Sequence, residues 1–311
     1  MKSPGLSRAL LNWYDANSRP LPWRESHDPY RVWISEVMLQ QTRVATVTER
    51  YKDFLRRFPT VQKLAAARES SVLAEWSGLG YYRRARNLHA AAKIIAREKK
   101  FPQSAEAWRE LPGIGRYTAA AIASIAFDEP VAVLDGNVER VLRRILGARL
   151  TEKQSWEAAQ SLLDPTRPGD FNQAMMELGA TVCLPRQPQC PTCPMRKFCR
   201  TRGAGHPASV RLRQEKKEIT YSLTRRPDSV LLVQRLESES LMPGMWELPQ
   251  PPNPSSKPLF SLRHSITVTD FTVRVVADGQ VTGQWIKFSR LNTLALTGLA
   301  KKILRTARII Q

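Results

Sequence analysis

The chain holds four cysteines, and all of them fall between 183 and 199, at Cys183, Cys190, Cys193 and Cys199, in the spacing C-x6-C-x2-C-x5-C. Pro185, Pro188, Pro191 and Pro194 are interleaved with them and forbid a regular helix, so the segment must close as a compact loop that can bring the thiols together. Four thiolates at short range can hold a [4Fe-4S] cluster or a tetrahedral zinc ion. A zinc ribbon would show two C-x2-C knuckles and only one is present, which favours iron–sulfur. A closed four-sulfur site can also do no more than staple the loop, leaving Arg196, Lys197, Arg200 and Arg202 to meet phosphates.

Three further patterns carry chemistry. In Leu111-Pro112-Gly113-Ile114-Gly115-Arg116-Tyr117-Thr118-Ala119, Gly113 and Gly115 let a backbone approach a phosphate between two helices. The amides opening the second helix supply donors and a favourable dipole. Without other motifs the same stretch is simply a helix–helix turn. The turn Leu134-Asp135-Gly136-Asn137 opens another helix, and taken alone Asp135 reads as an N-cap. The run from Tyr30 to about Val44 has a helical apolar period that puts Glu36 on the edge of its stripe and Gln41 near the middle. Glu36 then reads as a solvated flank. Gln41 does not fit an apolar stripe, because burying an unpaired amide is costly, unless it is inserted into something or sits at an exposed helix end.

Positioning these groups requires an all-α unit. Apolar residues recur at three and four from Pro4 to about Val182, broken by short Pro or Gly punctuation, which is helical texture. Arg202 to Lys217 has no periodicity and reads as a linker. Beyond it lie short β-rich runs at Ser229 to Gln234, Ser265 to Thr269, Phe271 to Val276 and Gln284 to Phe288, then a helix from about Leu291, an α+β texture. The expected organisation is a helical domain over 1–203 that includes the cysteine loop 183–199, a linker over 204–216, and a small α+β domain over 217–311.

Composition sets the class of partner. With 311 residues, two domains are the natural division. Hydrophobic content of 42% and charged content of 24% are ordinary for a globular chain. The net charge of +20 and pI near 10.3 are not, and they direct the protein toward polyanions. Both halves are basic, the first carrying most of the excess. A nucleic acid leads as partner and an anionic membrane comes second. The longest apolar candidate, Thr118 to Phe127, is too short to cross a bilayer, and the amino terminus lacks a secretory h-region. Clustered thiols suit a reducing compartment, so the expectation is an intracellular monomer, cytoplasmic or, in a eukaryote, nuclear or mitochondrial.

Together, Trp33-Ile34-Ser35-Glu36-Val37-Met38-Leu39-Gln40-Gln41-Thr42, Gly78-Leu79-Gly80-Tyr81-Tyr82, the glycine hairpin, Leu134 to Asn137 and the cysteines resemble the adenine DNA glycosylase (MutY) family. That family lies within the helix-hairpin-helix superfamily that also contains endonuclease III, and the similarity runs over nearly all of residues 4 to 203. It implies two helical lobes with a base pocket between them, a [4Fe-4S] cluster on the four cysteines, and excision of adenine opposite 8-oxoguanine or guanine in duplex DNA. It assigns Glu36 as the acid that protonates adenine and later helps activate water, and Asp135 as the group that stabilises the sugar cation. Asn137 and Tyr117 orient the carboxylates, and Arg19 and Trp23 line the adenine pocket. Gln41 and Tyr81 wedge into the duplex with Thr42 and Leu79 beside them, and Gly113 and Gly115 hold a phosphate. Lyase members of the superfamily carry a lysine where this chain has Tyr117, which implies base excision without efficient strand cleavage.

Val230 to Arg235 followed by Gly244-Met245-Trp246-Glu247-Leu248-Pro249 resembles the opening of a Nudix-like domain. Where an active Nudix hydrolase carries an acidic magnesium-binding helix, this chain has Gln250-Pro251-Pro252-Asn253-Pro254, so hydrolase activity is not expected. In the family this domain recognises the oxidised guanine, partly through a Phe-Ser-His loop. The matching stretch here is Ile266-Thr267-Val268 after His264-Ser265, which makes His264 and Thr267 candidate lesion contacts and lacks the loop's histidine. Two other readings accommodate some of these features. One is a thymine or uracil mismatch glycosylase of the same superfamily. The other is a non-enzymatic iron–sulfur DNA-binding module, in which Glu36 would have no task.

Overall fold

The structure, a computed structural model, describes residues 4–202, 215–236, 238–239, 242–252, 257–266, 269–277 and 280–310. The helical part runs α1 (Pro4–Asn17), α2 (Pro29–Leu39), α3 (Val44–Arg57), α4 (Val61–Ala65), α5 (Glu69–Glu75), α6 (Arg83–Glu98), α7 (Ala105–Arg109), α8 (Arg116–Phe127), α9 (Gly136–Leu146), α10 (Glu152–Leu162) and α11 (Pro168–Thr181). The remainder comprises β1 (Glu215–Ser222), β2 (Ser229–Gln234), β3 (Trp246–Glu247), β4 (Pro258–Ile266), β5 (Thr269–Val276), β6 (Gln284–Lys287) and α12 (Gly298–Thr306). No helix among the described residues is long and apolar enough to cross a membrane.

The chain divides into two compact units. One comprises residues 1–65 and 90–209, the other residues 66–89 and 210–311. The second therefore recruits a piece of the helical sequence, α5 and the start of α6, that a division near residue 204 would leave with the first.

In the first unit, local signals fix the helix ends. Asp28 caps α2 by accepting from the Arg31 amide, with Pro29 in the first turn, where a missing N–H costs nothing. Asp135 caps α9 and Gly147, at φ 63°, ends it in the left-handed region. Thr151 and Gln154 cap α10 reciprocally. Helix α8 is alanine-rich and buried from Thr118 to Ile125, so α2, α7 and α11 can all pack closely upon it. Trp33 and Trp108 are both fully buried, with ring centroids 5.7 Å apart. Truncating either to Ala would cost about 3–5 kcal/mol.

Helix α2 departs from the sequence expectation. It stops at Leu39, and a second helix begins at Val44. It is enclosed nearly all round, with Tyr30 and every residue from Val32 to Met38 buried. An amphipathic reading therefore has no outer face to find, and Glu36 is buried at 5% exposure rather than standing on a solvated flank. Gln41 lies past the helix end, exposed, at φ 55°, so no apolar stripe is interrupted.

In the second unit, β1 runs parallel to β5, and β5 runs antiparallel to β4. A separate sheet has the order β3-β2-β6. Val230, Leu232, Val273 and Val275 meet Leu296, Leu299, Ile303 and Leu304 in one core, and Thr297 caps α12 by accepting from the Ala300 amide. Strand β1 opens at Glu215, two residues inside the stretch read as linker, of which residues 204–214 lie outside the described residues. Ser265 to Thr269 is not one strand. Ser265 and Ile266 end β4, Thr269 opens β5, and Thr267 lies outside the described residues.

Candidate active site

A cavity of about 580 Å³ opens in the first unit between the end of α2, the start of α8, the cap of α9 and the middle of α11. Glu36, Tyr117, Asp135, Asn137, Arg19, Trp23, Gln41 and Thr42 all line it. Of the candidates named from the sequence, Gly113, Gly115, the cysteines and His264 lie elsewhere, and Leu79 and Tyr81 belong to the second unit.

The two carboxyl groups differ in surroundings. Burial pushes Glu36 up to about 7, the hydrogen bond from Tyr117 partly opposes this, and the nearby Asp135 carboxylate adds to it. Tyr117 donates its hydroxyl to Glu36 Oε2 at 3.1 Å and also lies 3.1 Å from Met176 Sδ. Burial, followed by the Glu36 and Asp135 charges, lifts the phenol well above its ordinary range, so it keeps the proton that it donates to Glu36. Asp135 accepts from the Val138 amide at 2.7 Å and from Asn137 Nδ2 at 3.1 Å. The N-cap role that an isolated Asp-Gly-Asn suggests is therefore real. It uses Oδ1, while Oδ2 accepts from Asn137 and takes no part in the cap.

Glu177 went unnoticed in the sequence. It is buried at 1% exposure in the middle of α11, and Arg19 grips it with Nε at 2.6 Å and Nη2 at 2.8 Å. Arg24 adds a third contact at 2.8 Å. Burial pushes Glu177 up, but the hydrogen bonds from Arg19 and then Arg24 outweigh it and bring the acid down to about 2. The cavity thus holds one carboxyl kept protonatable near neutrality and one locked as an anion between two guanidiniums. Only an apolar-face glutamate three residues after Ala174 hinted at this, and its partners are more than 150 positions away.

A chain of contacts runs from Asp135 toward the cysteine loop. Asn137 bonds Asp135 through Nδ2 and accepts from Arg140 Nη2 at 2.8 Å through Oδ1. Arg140 Nε then donates to the Cys183 carbonyl at 2.9 Å. Behind it, buried Arg144 donates to the carbonyls of Cys183, Leu184 and Pro185 and to Cys183 Sγ at 3.2 Å. Cys183, Cys190, Cys193 and Cys199 all line one small cavity of about 30 Å³. Among the described residues, no three His, Cys, Asp or Glu side chains converge as they would around a single metal ion. Four thiols lining one void are the donor set that a [4Fe-4S] cluster or a tetrahedral zinc ion takes.

At the glycine hairpin, Leu111 and Ile114 are buried while Gly113, Gly115 and Arg116 face outward. Gly113 takes φ 76°, and nothing lies within 4 Å of where a Gly115 Cβ would sit. The amide end of α8 is thus open to a ligand. In the second unit, Tyr81 is 46% exposed at φ 48° between Gly80 and Tyr82. His264 is half-buried within β4, paired with Phe271, and burial followed by the Lys302 charge lowers its pKa.

A buried carboxyl and a second carboxylate sharing a cavity at the start of α8, the helix that the open glycine hairpin leads into, place this unit in the helix-hairpin-helix class. The matching family model agrees: residues 34–165 fit the HhH-GPD superfamily of base excision DNA repair proteins. A solved thermostable thymine-DNA glycosylase superposes with a TM-score of 0.59 at 30% identity, over 62% of this chain and 93% of its own. The adenine DNA glycosylase of Homo sapiens is 47% identical over 71% of this chain and 42% of its own length. That of Schizosaccharomyces pombe is 32% identical over 78% of this chain and 68% of its own. The chain belongs to the adenine DNA glycosylase family. It spans about two fifths of the length of the mammalian relatives it matches.

Proposed function

We propose that the protein is a monofunctional DNA glycosylase that removes adenine mispaired with 8-oxoguanine or guanine in duplex DNA, as a step of base excision repair. The observation that carries this reading is that Glu36 and Asp135 share one cavity, with burial holding Glu36 near pH 7. Adenine turned out of the stack enters the cavity, and protonated Glu36 gives its proton to a ring nitrogen as the N-glycosidic bond breaks. The electron pair of that bond leaves with the base. The oxocarbenium-like sugar left behind faces the Asp135 carboxylate, which Val138 and Asn137 hold in place. Water then attacks the sugar carbon and passes its proton to Glu36, giving an abasic site and free adenine and restoring the acid.

Several features support the finer parts. No lysine lines the cavity among the described residues, which supports hydrolysis without a Schiff-base lyase step. The four thiols around one void support a resident [4Fe-4S] cluster on Cys183, Cys190, Cys193 and Cys199. Such a cluster would brace the loop and its basic residues, and no chemical step passes through it. The Nudix-like carboxyl-terminal domain, with His264 and Thr267 as candidate contacts, would read the base opposite adenine, and Tyr81 and Gln41 would enter the duplex. The net charge of +20 supports binding to a polyanion.

Single-turnover excision on duplexes with adenine opposite 8-oxoguanine, G, C and T tests the assignment. The first two should be processed far faster, and equal rates on all four would sink it. Efficient covalent trapping to DNA under borohydride would overturn the monofunctional part alone.

A further inference from the structure

Within the second unit, the Leu296 carbonyl fastens residues 66–89 to the carboxyl-terminal part of the chain. Tyr82 Oη lies 3.2 Å from the Leu296 carbonyl oxygen and 3.1 Å from Ser77 Oγ, and Ser77 Oγ is itself 3.2 Å from the same carbonyl. All three residues are buried. Leu296 in turn is held against β3, because the Trp246 amide donates to the Ala295 carbonyl and the Thr297 amide donates to the Trp246 carbonyl, both at 2.9 Å. Arg86 supplies a second attachment near the same strand, donating to the Pro243 carbonyl at 2.7 Å.

The segment fastened in this way is the turn that displays Tyr81. Gly78 and Gly80 take φ 100° and 72°, and Tyr81 itself takes 48°, a conformation that a bulky side chain adopts only when its neighbours impose it. The imposing contacts are visible. Trp76 Nε1 donates to the Gly80 carbonyl at 3.1 Å, and Arg84 donates to the carbonyls of Leu79 and Gly80 at 2.9 and 3.0 Å while lying over both the Trp76 and Tyr81 rings. The residue after Tyr81 is the buried, anchored Tyr82, so any shift of Leu296 relative to this turn is passed to Tyr81 across a single peptide.

We infer that Tyr82, assisted by Ser77, is a positioning residue through which the carboxyl-terminal domain sets Tyr81 and thereby the choice of opposite base. The inference rests on the reading above, in which that domain and Tyr81 meet the base facing adenine. Polar groups buried at such a contact hold one arrangement over its neighbours, because displacing the Tyr82 hydroxyl would strip it of buried partners and leave the carbonyl with Ser77 as its side-chain donor.

The test is a double-mutant cycle read as opposite-base discrimination, the ratio of single-turnover rates on A opposite 8-oxoguanine and A opposite guanine. Tyr82→Phe keeps the ring and removes the hydroxyl. It should lower this ratio at least fivefold, as should Tyr81→Ala, and the double variant should be no worse than Tyr81→Ala alone. Ser77→Ala should repeat the pattern more weakly and serves if Tyr82→Phe proves unstable. A role in stability alone would lower both rates together and leave the ratio unmoved. That result, or losses that multiply in the double variant, would overturn the coupling. A parent protein without any preference would remove the functional reading and the coupling with it, whereas a discriminating parent with an equally discriminating Tyr82→Phe would remove the coupling alone.

Discussion

Gly179 on α11 and Asn137 on α9 are packed backbone to backbone: a Cβ at position 179 would stand 2.6 Å from Asn137 Cβ and 3.1 Å from the Asn137 carbonyl oxygen. Such contacts cannot be relieved by turning a side chain. Gly179→Ala must therefore push α9 away from α11, moving Asn137 and with it the Oδ2 of Asp135. Overpacking of this kind costs about 1–3 kcal/mol. The expected outcome is a lowered melting temperature with excision reduced more than tenfold, while helix content by circular dichroism stays at the parental level.

The alkaline limb of activity should belong to Glu36. Its raised value means that it keeps its proton as general acid up to about pH 7, so excision should fall as pH rises through that point. Tyr117→Phe removes a hydrogen bond that favours the ionised form, and the limb should move to higher pH. A pH–rate profile of both proteins measures this, and a limb that stays in place would separate Glu36 from the proton transfer.

Glu36 also links to stability. The folded protein holds a proton that the unfolded chain releases near pH 4.5, so this contribution is complete below pH 4.5 and lost as pH rises through about 7. Above that the buried anion costs about 3 kcal/mol. Glu36→Gln should abolish excision while retaining duplex binding, and its melting temperature should gain on the parent from pH 5 to about pH 7 and level off above that. A constant difference across that range would contradict the assignment.

The opposite sign applies to Glu177. Its contribution is complete above pH 4.5 and is lost as pH falls toward about 2, with a magnitude of about 3 kcal/mol by linkage. Glu177→Gln leaves Arg19 and Arg24 facing each other without the anion and should destabilise the protein by about 3–5 kcal/mol at neutral pH. The deficit should shrink in acid, which thermal melts at pH 3 and pH 7 would show.

Legibility in the sequence followed the range of the interactions. Short-range signals could be read: β2 occupies Ser229–Gln234 as its β-branched run suggests, and the Asp135 turn opens a helix. Strand β1 was missed because Glu215-Lys216-Lys217-Glu218 carries charge outward and gains its pairing only from β5, some fifty residues on. Glu36 was misplaced because periodicity finds a face only where a helix has one, and α2 is enclosed. The clamp on Glu177 and the Tyr82–Leu296 contact join residues 158 and 214 positions apart, and no local pattern reports such pairs. Family resemblance brought Glu36 and Asp135 together before any coordinates did.

One guanidinium has a consequence for the order of the cysteine loop. Arg144 satisfies the carbonyls of Cys183, Leu184 and Pro185 from within the helical unit, so the backbone at the start of the cysteine loop is fixed by the polypeptide itself. Removing that guanidinium would leave three carbonyls to find other donors, whatever the thiols of the loop hold.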